Sequence, residues 1–360
     1  MTNEELQSKT IKWLRFPLAF AIVFIHSISH EKVHEYMLAL DSGMNVYHGI
    51  YIFISDIILR VATPLFSVFS GFLLFYKINE WNKNVYFGKI KRKMRTLVLP
   101  YMLWNIIPIL IMALFLLLKF DGSLTKYMNQ LWEHGILNIF WNYNEGVYPY
   151  NIPMWFVRDL IVVVFLSPAV YYLIKYTKIY GILILGISFF TNIWFPGVSI
   201  KALFFFSLGA YFSIHGKNMI TELRKGTLFW LFSTIIIATL SMFYQECNQF
   251  GYLHVLFTIA GSITAINITS LLIERGWIGS ERSFIMPLSK ISFFIFASHN
   301  VYVLGRSTEL INFIFKSETA FFLTVKYLIT PIVCISICVG LYYILDKITP
   351  KLLKVLTGSR

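Results

Sequence analysis

The stretch Trp13-Leu14-Arg15-Phe16-Pro17-Leu18-Ala19-Phe20-Ala21-Ile22-Val23-Phe24-Ile25-His26 is apolar apart from Arg15 and His26, the two residues that begin and end its central run. At about 100° per residue, eleven helical steps turn through roughly 1100°, about 20° past three full turns. Arg15 and His26 therefore project from one face, about 16 Å apart along the axis. Charge is costly in hydrocarbon, so two ionisable groups on one stripe of a membrane helix mark a candidate functional site.

Working outward, the whole chain reads as lipid-soluble. Hydrophobic residues make up 57% of 360 and charged residues 14%, and the mean hydropathy is +0.66, which excludes an ordinary water-soluble domain. Apolar runs recur at 11–29, 50–75, 97–118, 153–174, 179–194, 201–214, 227–244, 253–273, 291–305 and 320–346. The fold class is all-α: a polytopic membrane helix bundle of about ten transmembrane helices, with the 179–194 and 201–214 runs shorter than the usual span of about 20 residues. With no long soluble stretch, repeat or low-complexity tract, 1–360 is expected to form one integral-membrane domain without a separate soluble one.

Lys and Arg set the expected orientation, because cytoplasmic loops retain them. Residues 76–96 carry Lys77, Lys83, Lys89, Lys91, Arg92, Lys93 and Arg95 against Glu80, whereas 119–152 has Lys119 and Lys126 against Asp121, Glu133 and Glu145. The first connection reads as inside and the second as outside. Lys217, Arg224 and Lys225, then Arg275, Arg282 and Lys290, then Lys347, Lys351, Lys354 and Arg360 also fall inside on a ten-helix count, which makes both termini cytoplasmic. The net charge of +13 is then membrane anchoring, and no nucleic-acid partner is implied. Ser27-Ile28-Ser29 after His26 offers no A-x-A signal cleavage site. Cys247, Cys334 and Cys338 form neither a disulfide framework nor a zinc spacing, and His30, His34 and His48 read as solvated rather than metal-binding.

Further clusters carry two readings each. Arg60-Val61-Ala62-Thr63-Pro64 through Ser70-Gly71-Phe72 holds a buried-side Arg, a kinking Pro and a small pair: either close helix packing at Ser70-Gly71, or room for an elongated ligand beside His26. Arg92 and Arg95 lie three apart on one face, either a basic collar or two guanidinium forks closing on a phosphorylated cytosolic donor. Trp155, Arg158 and Asp159 open the fourth span after an aromatic stretch. They belong to an interfacial belt or line an acceptor cavity; Arg158 and Asp159, being adjacent, are not expected to face each other. Ser298-His299-Asn300 falls in the middle of the ninth span, where His299 is either a helix-bridging partner or a substrate-lining group.

Arg15 with ten residues before His26, the Thr63-Pro64-Leu65-Phe66 and Ser70-Gly71-Phe72 segment, Arg92-Lys93-Met94-Arg95 before Leu99-Pro100-Tyr101, Pro153 to Leu160, Phe206-Ser207-Leu208-Gly209-Ala210, and Ser298-His299 occur in an order that resembles the integral-membrane acyltransferase-3 family over essentially the whole chain. The resemblance implies a membrane O-acyltransferase, a transferase of groups other than amino-acyl, that moves an acyl group, usually acetyl, from cytosolic acyl-CoA to a hydroxyl of a cell-surface or lipid-linked carbohydrate such as an exopolysaccharide unit. It implies that His26 and Arg15 are essential and that Arg92 and Arg95 serve the CoA side. Arg60, Ser70, Trp155, Arg158 and His299 are the softer, substrate-lining assignments. Acyl-CoA, acetyl-CoA foremost, is then a co-substrate with no permanently bound cofactor, and the expected site is the inner or plasma membrane. Some members carry an extra extracytoplasmic hydrolase-like domain. This chain is expected to work alone or to hand its acyl group to a separate extracytoplasmic transferase, alongside polysaccharide-synthesis proteins.

In chemical terms, His26 can act as general base or as a transient acyl carrier, and Arg15 as a holder of anionic groups, since guanidinium does not deprotonate. The alternative is a transporter or flippase for a glycolipid or small anion, which predicts inverted halves and paired broken helices. A sensory protein switched by His protonation would explain His26 and leave Arg92 and Arg95 without a role.

Overall fold

A computed structural model describes residues 1–27, 42–119, 122–193, 195, 197–244, 251–280 and 283–358. Helix α1 (Asn3–Ile25) begins earlier than the apolar run, because Thr2 caps it: the Thr2 hydroxyl accepts from the Glu5 amide and the Glu5 carboxylate accepts from the Thr2 amide. The helix passes through Pro17 unbroken. Proline deprives the Trp13 carbonyl of its intrahelical donor, and Ser289 of a neighbouring helix donates to that carbonyl at 3.3 Å.

The remaining elements are all helical, with no strand among the described residues. They are α2 (Ser42–Tyr51), α3 (Ala62–Phe75), α4 (Lys83–Lys93), α5 (Leu99–Leu117), α6 (Ser123–His134), α7 (Trp155–Phe165), α8 (Ser167–Thr177), α9 (Ile179–Phe190), α10 (Ile200–Ile214), α11 (Met219–Arg224), α12 (Thr227–Phe243), α13 (Tyr252–Glu274), α14 (Ile285–Ser298), α15 (Leu304–Ile314), α16 (Ala320–Ile348) and α17 (Pro350–Leu356). Four continuous helical stretches are long and apolar enough to cross a membrane: Gly43–Phe75, Lys83–Leu117, Tyr252–Glu274 and Ala320–Ile348; a fifth appears if α7 and α8 count as one broken span. α9, α10 and α12 are apolar but shorter. Leu110, Leu114 and Phe115 of α5, Leu183, Ile184 and Ile187 of α9, and Phe229, Phe232 and Ile236 of α12 all face outward. Such an apolar surface belongs against lipid.

Three breaks depart from the expected continuous spans. The second span contains a π-helical turn (Ile52–Ile57) and a 3-10 turn (Ile58–Val61) just ahead of Pro64, whose ring crowds the Arg60 carbonyl. The fourth bends by 65° between α7 and α8, where Pro168 restarts the helix. The ninth ends at Ser298 and passes through a turn over His299–Val303, with Tyr302 at φ +60°, before α15 begins. His299 therefore stands at a helix end rather than in mid-span.

The core is pinned by the crossing of α3 and α10. A Cβ on Gly71 would lie 1.9 Å from the Phe206 carbonyl oxygen, and one on Gly209 would lie 1.9 Å from that of Val68, so each glycine admits the other helix's backbone. The Ser213 hydroxyl then donates to the Phe72 carbonyl at 2.6 Å. The space at Gly71 is filled by a helix, which settles that glycine as packing rather than ligand room.

Basic connections gather at one end of the bundle. Lys77 pairs with Glu4, the Asn218 side chain donates to the Asn3 carbonyl, Lys9 lies 3.5 Å from the Cβ position of Gly279, and Arg224 pairs with Glu274. α1 and α14 run side by side in the same direction: Trp13 meets Ser289 near this end and His26 meets His299 near the other.

Candidate functional site

The last turn of α1 carries His26 out of the helix as its C-cap, and the end of α14 carries His299 to the same place. The two imidazoles lie side by side with ring centroids 5.6 Å apart and planes tilted by 35°. His299 Nδ1 lies 2.6 Å from the Phe296 carbonyl, which can only accept, so that nitrogen carries the proton and Nε2 presents its lone pair. Nε2 is fully buried and has no hydrogen-bond partner among the described residues. Behind it, the Cys334 thiol points at the His299 carbonyl at 3.9 Å.

The segment between α6 and α7 is tied into the bundle at the buried Asn151, which satisfies carbonyls that the helices leave free. Pro108 deprives the Trp104 carbonyl of its helical donor; the Asn151 side chain supplies one at 3.0 Å and also donates to Ala297, two residues before His299, at 3.1 Å. The Asn105 side chain accepts from the Asn151 amide at 2.9 Å, and the Tyr302 hydroxyl donates to the Pro108 carbonyl at 3.1 Å.

Arg60 projects from the broken stretch before α3 and is ion-paired with Asp56 one turn earlier. Its guanidinium lies within electrostatic reach of His26, of Lys201 in the first turn of α10, and of His254 in the first turn of α13. Close by, the Ser55 and Tyr327 hydroxyls share a hydrogen bond at 2.8 Å, and the Tyr327 ring packs against Phe24, Tyr47 and Tyr51. Asp56, Lys201 and His254 were not among the residues singled out from sequence. Their signal was available, since each is an ionisable residue inside or at the edge of an apolar run, but Lys201 and His254 sit where flanking residues are ordinary.

At the opposite end Arg15 lines a cleft of about 290 Å³ with Glu4, Gln7, Ser8, Lys12 and Tyr76. Arg92 and Arg95 share a separate, open cleft of about 340 Å³ with Gly88, Lys91 and Thr96. A π-helical turn at Met94–Val98 lies between α4 and α5, so Arg95 is set by that turn rather than by a regular helical face. Both arginines are exposed, Ser70 is half-buried beside Gly71, and Trp155 opens α7 with its ring edge-on to Phe156.

Arg158 and Asp159 correct the sequence expectation, for they do meet. Arg158 Nε and Nη2 both donate to Asp159 Oδ1, at 3.1 and 3.0 Å, because the long guanidinium folds back over its own helix turn. Nη1 donates to the Trp141 and Val147 carbonyls at 2.5 and 2.7 Å, and the guanidinium covers the Trp141 ring. Arg158 thereby fastens the inserted 141–147 loop to the start of α7. His30, His34, Cys247, Arg282 and Arg360 lie outside the described residues. Cys334 and Cys338 are both buried as free thiols.

Known proteins bear on this arrangement. A family model described as an acyltransferase domain, that of acyltransferase-3, matches residues 9–344. The chain is also similar to the succinoglycan biosynthesis protein ExoH of Rhizobium meliloti (strain 1021), at 25% identity over 98% of this chain and 92% of that protein. No solved structure matches. The match spans both the His26–His299 end and the arginine clefts, and the chain belongs to the acyltransferase-3 family as a multi-pass membrane enzyme that transfers acyl groups other than amino-acyl.

Proposed function

We propose that this enzyme moves an acyl group from cytosolic acyl-CoA to a hydroxyl of a cell-surface or lipid-linked carbohydrate across the cell membrane, with both termini cytoplasmic. The observation that carries the reading is the meeting of His26 and His299 at the bundle end opposite the arginine clefts. Arg92 and Arg95 hold phosphate oxygens of the donor, since a guanidinium fork matches them in geometry and charge. Arg15, about 16 Å from His26 along α1, steadies the donor on its way inward. The relative's place in succinoglycan biosynthesis supports a polysaccharide or its lipid-linked unit as acceptor.

At His26 the acceptor hydroxyl loses its proton to the imidazole, its oxygen bonds to the thioester carbonyl carbon, and the carbon–sulfur bond breaks to release CoA, which takes up the proton. In the covalent variant an imidazole nitrogen of His26 bonds to the thioester carbonyl carbon as the carbon–sulfur bond breaks and CoA leaves as thiolate; the acceptor hydroxyl oxygen then bonds to the acyl carbon, the nitrogen–acyl bond breaks, and the hydroxyl proton passes to the freed imidazole. CoA release in the absence of acceptor separates the two: a stoichiometric burst marks the covalent route.

The test is acyl transfer from labelled acetyl-CoA in membranes containing native protein, His26→Ala or Arg92→Ala. Loss of transfer in His26→Ala with intact protein is expected. Full activity in that variant would falsify the assignment, and glycolipid crossing without any acyl transfer would favour the flippase reading.

A further inference from the structure

His299 meets His26 and yet has no part in either route of acyl transfer at His26. Its ring is fixed from its own helix: Nδ1 donates to the Phe296 carbonyl at 2.6 Å, which leaves the lone pair on Nε2, across the ring. His299 is 0% exposed, and Nε2 has no hydrogen-bond partner among the described residues. A buried acceptor without a donor is costly, and one that persists in a native fold calls for an explanation in function.

Two rings are found against this imidazole among the described residues. Phe296, on the same helix, offers no donor; the other is His26, at 5.6 Å between centroids. A ring nitrogen stands about 1.2 Å from its centroid, so imidazoles at that separation can bring one nitrogen of each to about 3.3 Å, just beyond the usual length of a hydrogen bond. Both rings are carried at helix C-termini, His26 as the cap of α1 and His299 as the cap of α14, with their backbone amides bonded back to the Ile22 and Ile295 carbonyls. The carbonyl dipoles of two such ends favour the positive charge that an imidazole acquires on taking a proton.

The chemistry at His26 needs a group in this place. As base or as nucleophile, His26 reacts through one nitrogen, and that nitrogen must carry a lone pair. The hydrogen of the neutral ring then sits on the other nitrogen, where an acceptor selects the tautomer and holds the ring still.

We propose, resting on the acyltransferase reading above, that His299 is this acceptor: its Nε2 lone pair takes a hydrogen bond from the far N–H of His26 and fixes which His26 nitrogen faces the substrates. His299 is a positioning residue, acting through His26. In the base route the proton of the acceptor hydroxyl passes to the free nitrogen of His26, the charge is stabilised across the bond to His299, and the proton then leaves with the CoA thiolate. His299 itself gains and loses no proton.

Two substitutions separate this role from a structural one. His299→Asn keeps an amide N–H where Nδ1 stands and so keeps the bond to Phe296, but it has no acceptor at Nε2; His299→Gln carries an amide oxygen out to the place of Nε2 and gives up the Phe296 bond. Turnover per folded protein and KM for acyl-CoA are measured with the full chain in native membranes, which supply the acceptor, using labelled acetyl-CoA and succinyl-CoA. His299→Asn is expected to lose about 10²-fold or more in turnover and His299→Gln to stay within about tenfold of native, with KM for acyl-CoA moving less than about twofold in both. A purely structural His299 predicts the reverse order, so His299→Asn equal to or better than His299→Gln overturns the proposal. His26→Ala, assayed alongside, tells the two failures apart: if it is fully active the acyltransferase role of His26 falls and this proposal with it, whereas an inactive His26→Ala beside a fully active His299→Asn removes the proposal alone. Should neither His299 variant fold, nitrogen-15 spectra of histidine-labelled native protein in nanodiscs, assigned by the loss of the His26 signals in His26→Ala, replace the kinetics. One fixed His26 tautomer is expected there, and an average of both tautomers overturns the proposal.

Discussion

The two ends of the bundle use basic residues in opposite ways. At one end Arg92 and Arg95 stand exposed around an open cleft, carried by a helix and a π-turn. At the far end His26, Arg60, Lys201 and His254 are drawn together by α1, the broken stretch before α3, α10 and α13, and His299 is brought to them by α14. The first arrangement needs only local helix geometry and solvent. The second exists only because five separate segments end or break at one depth. A cleft of the first kind suits the capture of a soluble anionic donor, and a cluster of the second kind suits chemistry that must exclude bulk water.

The sharpest way to break this contrast is at His26. His26→Ala is expected to reduce acyl transfer by about 10²–10⁴-fold with little change in the KM for acyl-CoA, as befits loss of a proton-transfer or acyl-accepting group. Arg92→Ala is expected to do the reverse, raising KM about tenfold or more at nearly constant kcat, because a charged contact of about 1.5–3 kcal/mol is lost in ground and transition states alike. Steady-state kinetics on both variants decides it; equal effects on kcat would merge the two regions into one site.

Arg158→Met tests whether the inserted loop belongs to the far region. It leaves the Asp159 carboxylate without its counter-charge and frees the Trp141 and Val147 carbonyls, so a loss of about 3–5 kcal/mol is expected, visible as a lower thermal midpoint in detergent and increased proteolysis in the 141–147 loop. A stable variant with an intact loop would show that Asn151 alone holds the insertion.

Gly71→Ala probes the scaffold shared by both ends. The added methyl meets the Phe206 carbonyl, and overpacking of this kind costs about 1–3 kcal/mol. Both regions should lose activity together, in proportion to folded protein. A smaller effect is expected for Thr2→Ala, which removes the hydroxyl of the capping box on α1: about 1 kcal/mol, read as faster amide exchange at Glu5 with acyl transfer unchanged.

Much of this was legible residue by residue. The apolar runs announced a membrane bundle, and the helical period put Arg15 and His26 on one stripe. The Ser70-Gly71 pair signalled close packing, and Pro64 signalled a break. Thr2-Asn3-Glu4-Glu5 also carried the start of α1, as a T-x-x-E capping box ahead of the apolar run. Less legible was the pairing of Arg158 with Asp159, because the rule that neighbours on a helix diverge describes Cβ directions and not the reach of a guanidinium. The position of His299 at a helix end was likewise hidden, since no Pro or Gly interrupts the sequence where α14 stops.

By itself, then, the sequence determined solvent and secondary structure: lipid, from composition, and helices, from the need of every backbone group in hydrocarbon to find an internal partner. Only the tertiary structure decided which polar groups meet. Trp13 and Ser289, Asn151 and Ala297, and His26 and His299 are separated by 276, 146 and 273 positions in the chain, and no local period encodes such distances. The first is selected by a carbonyl that Pro17 frees and the second by a carbonyl freed where a helix ends, each satisfied by a donor from another segment; the third follows from two helices that end side by side.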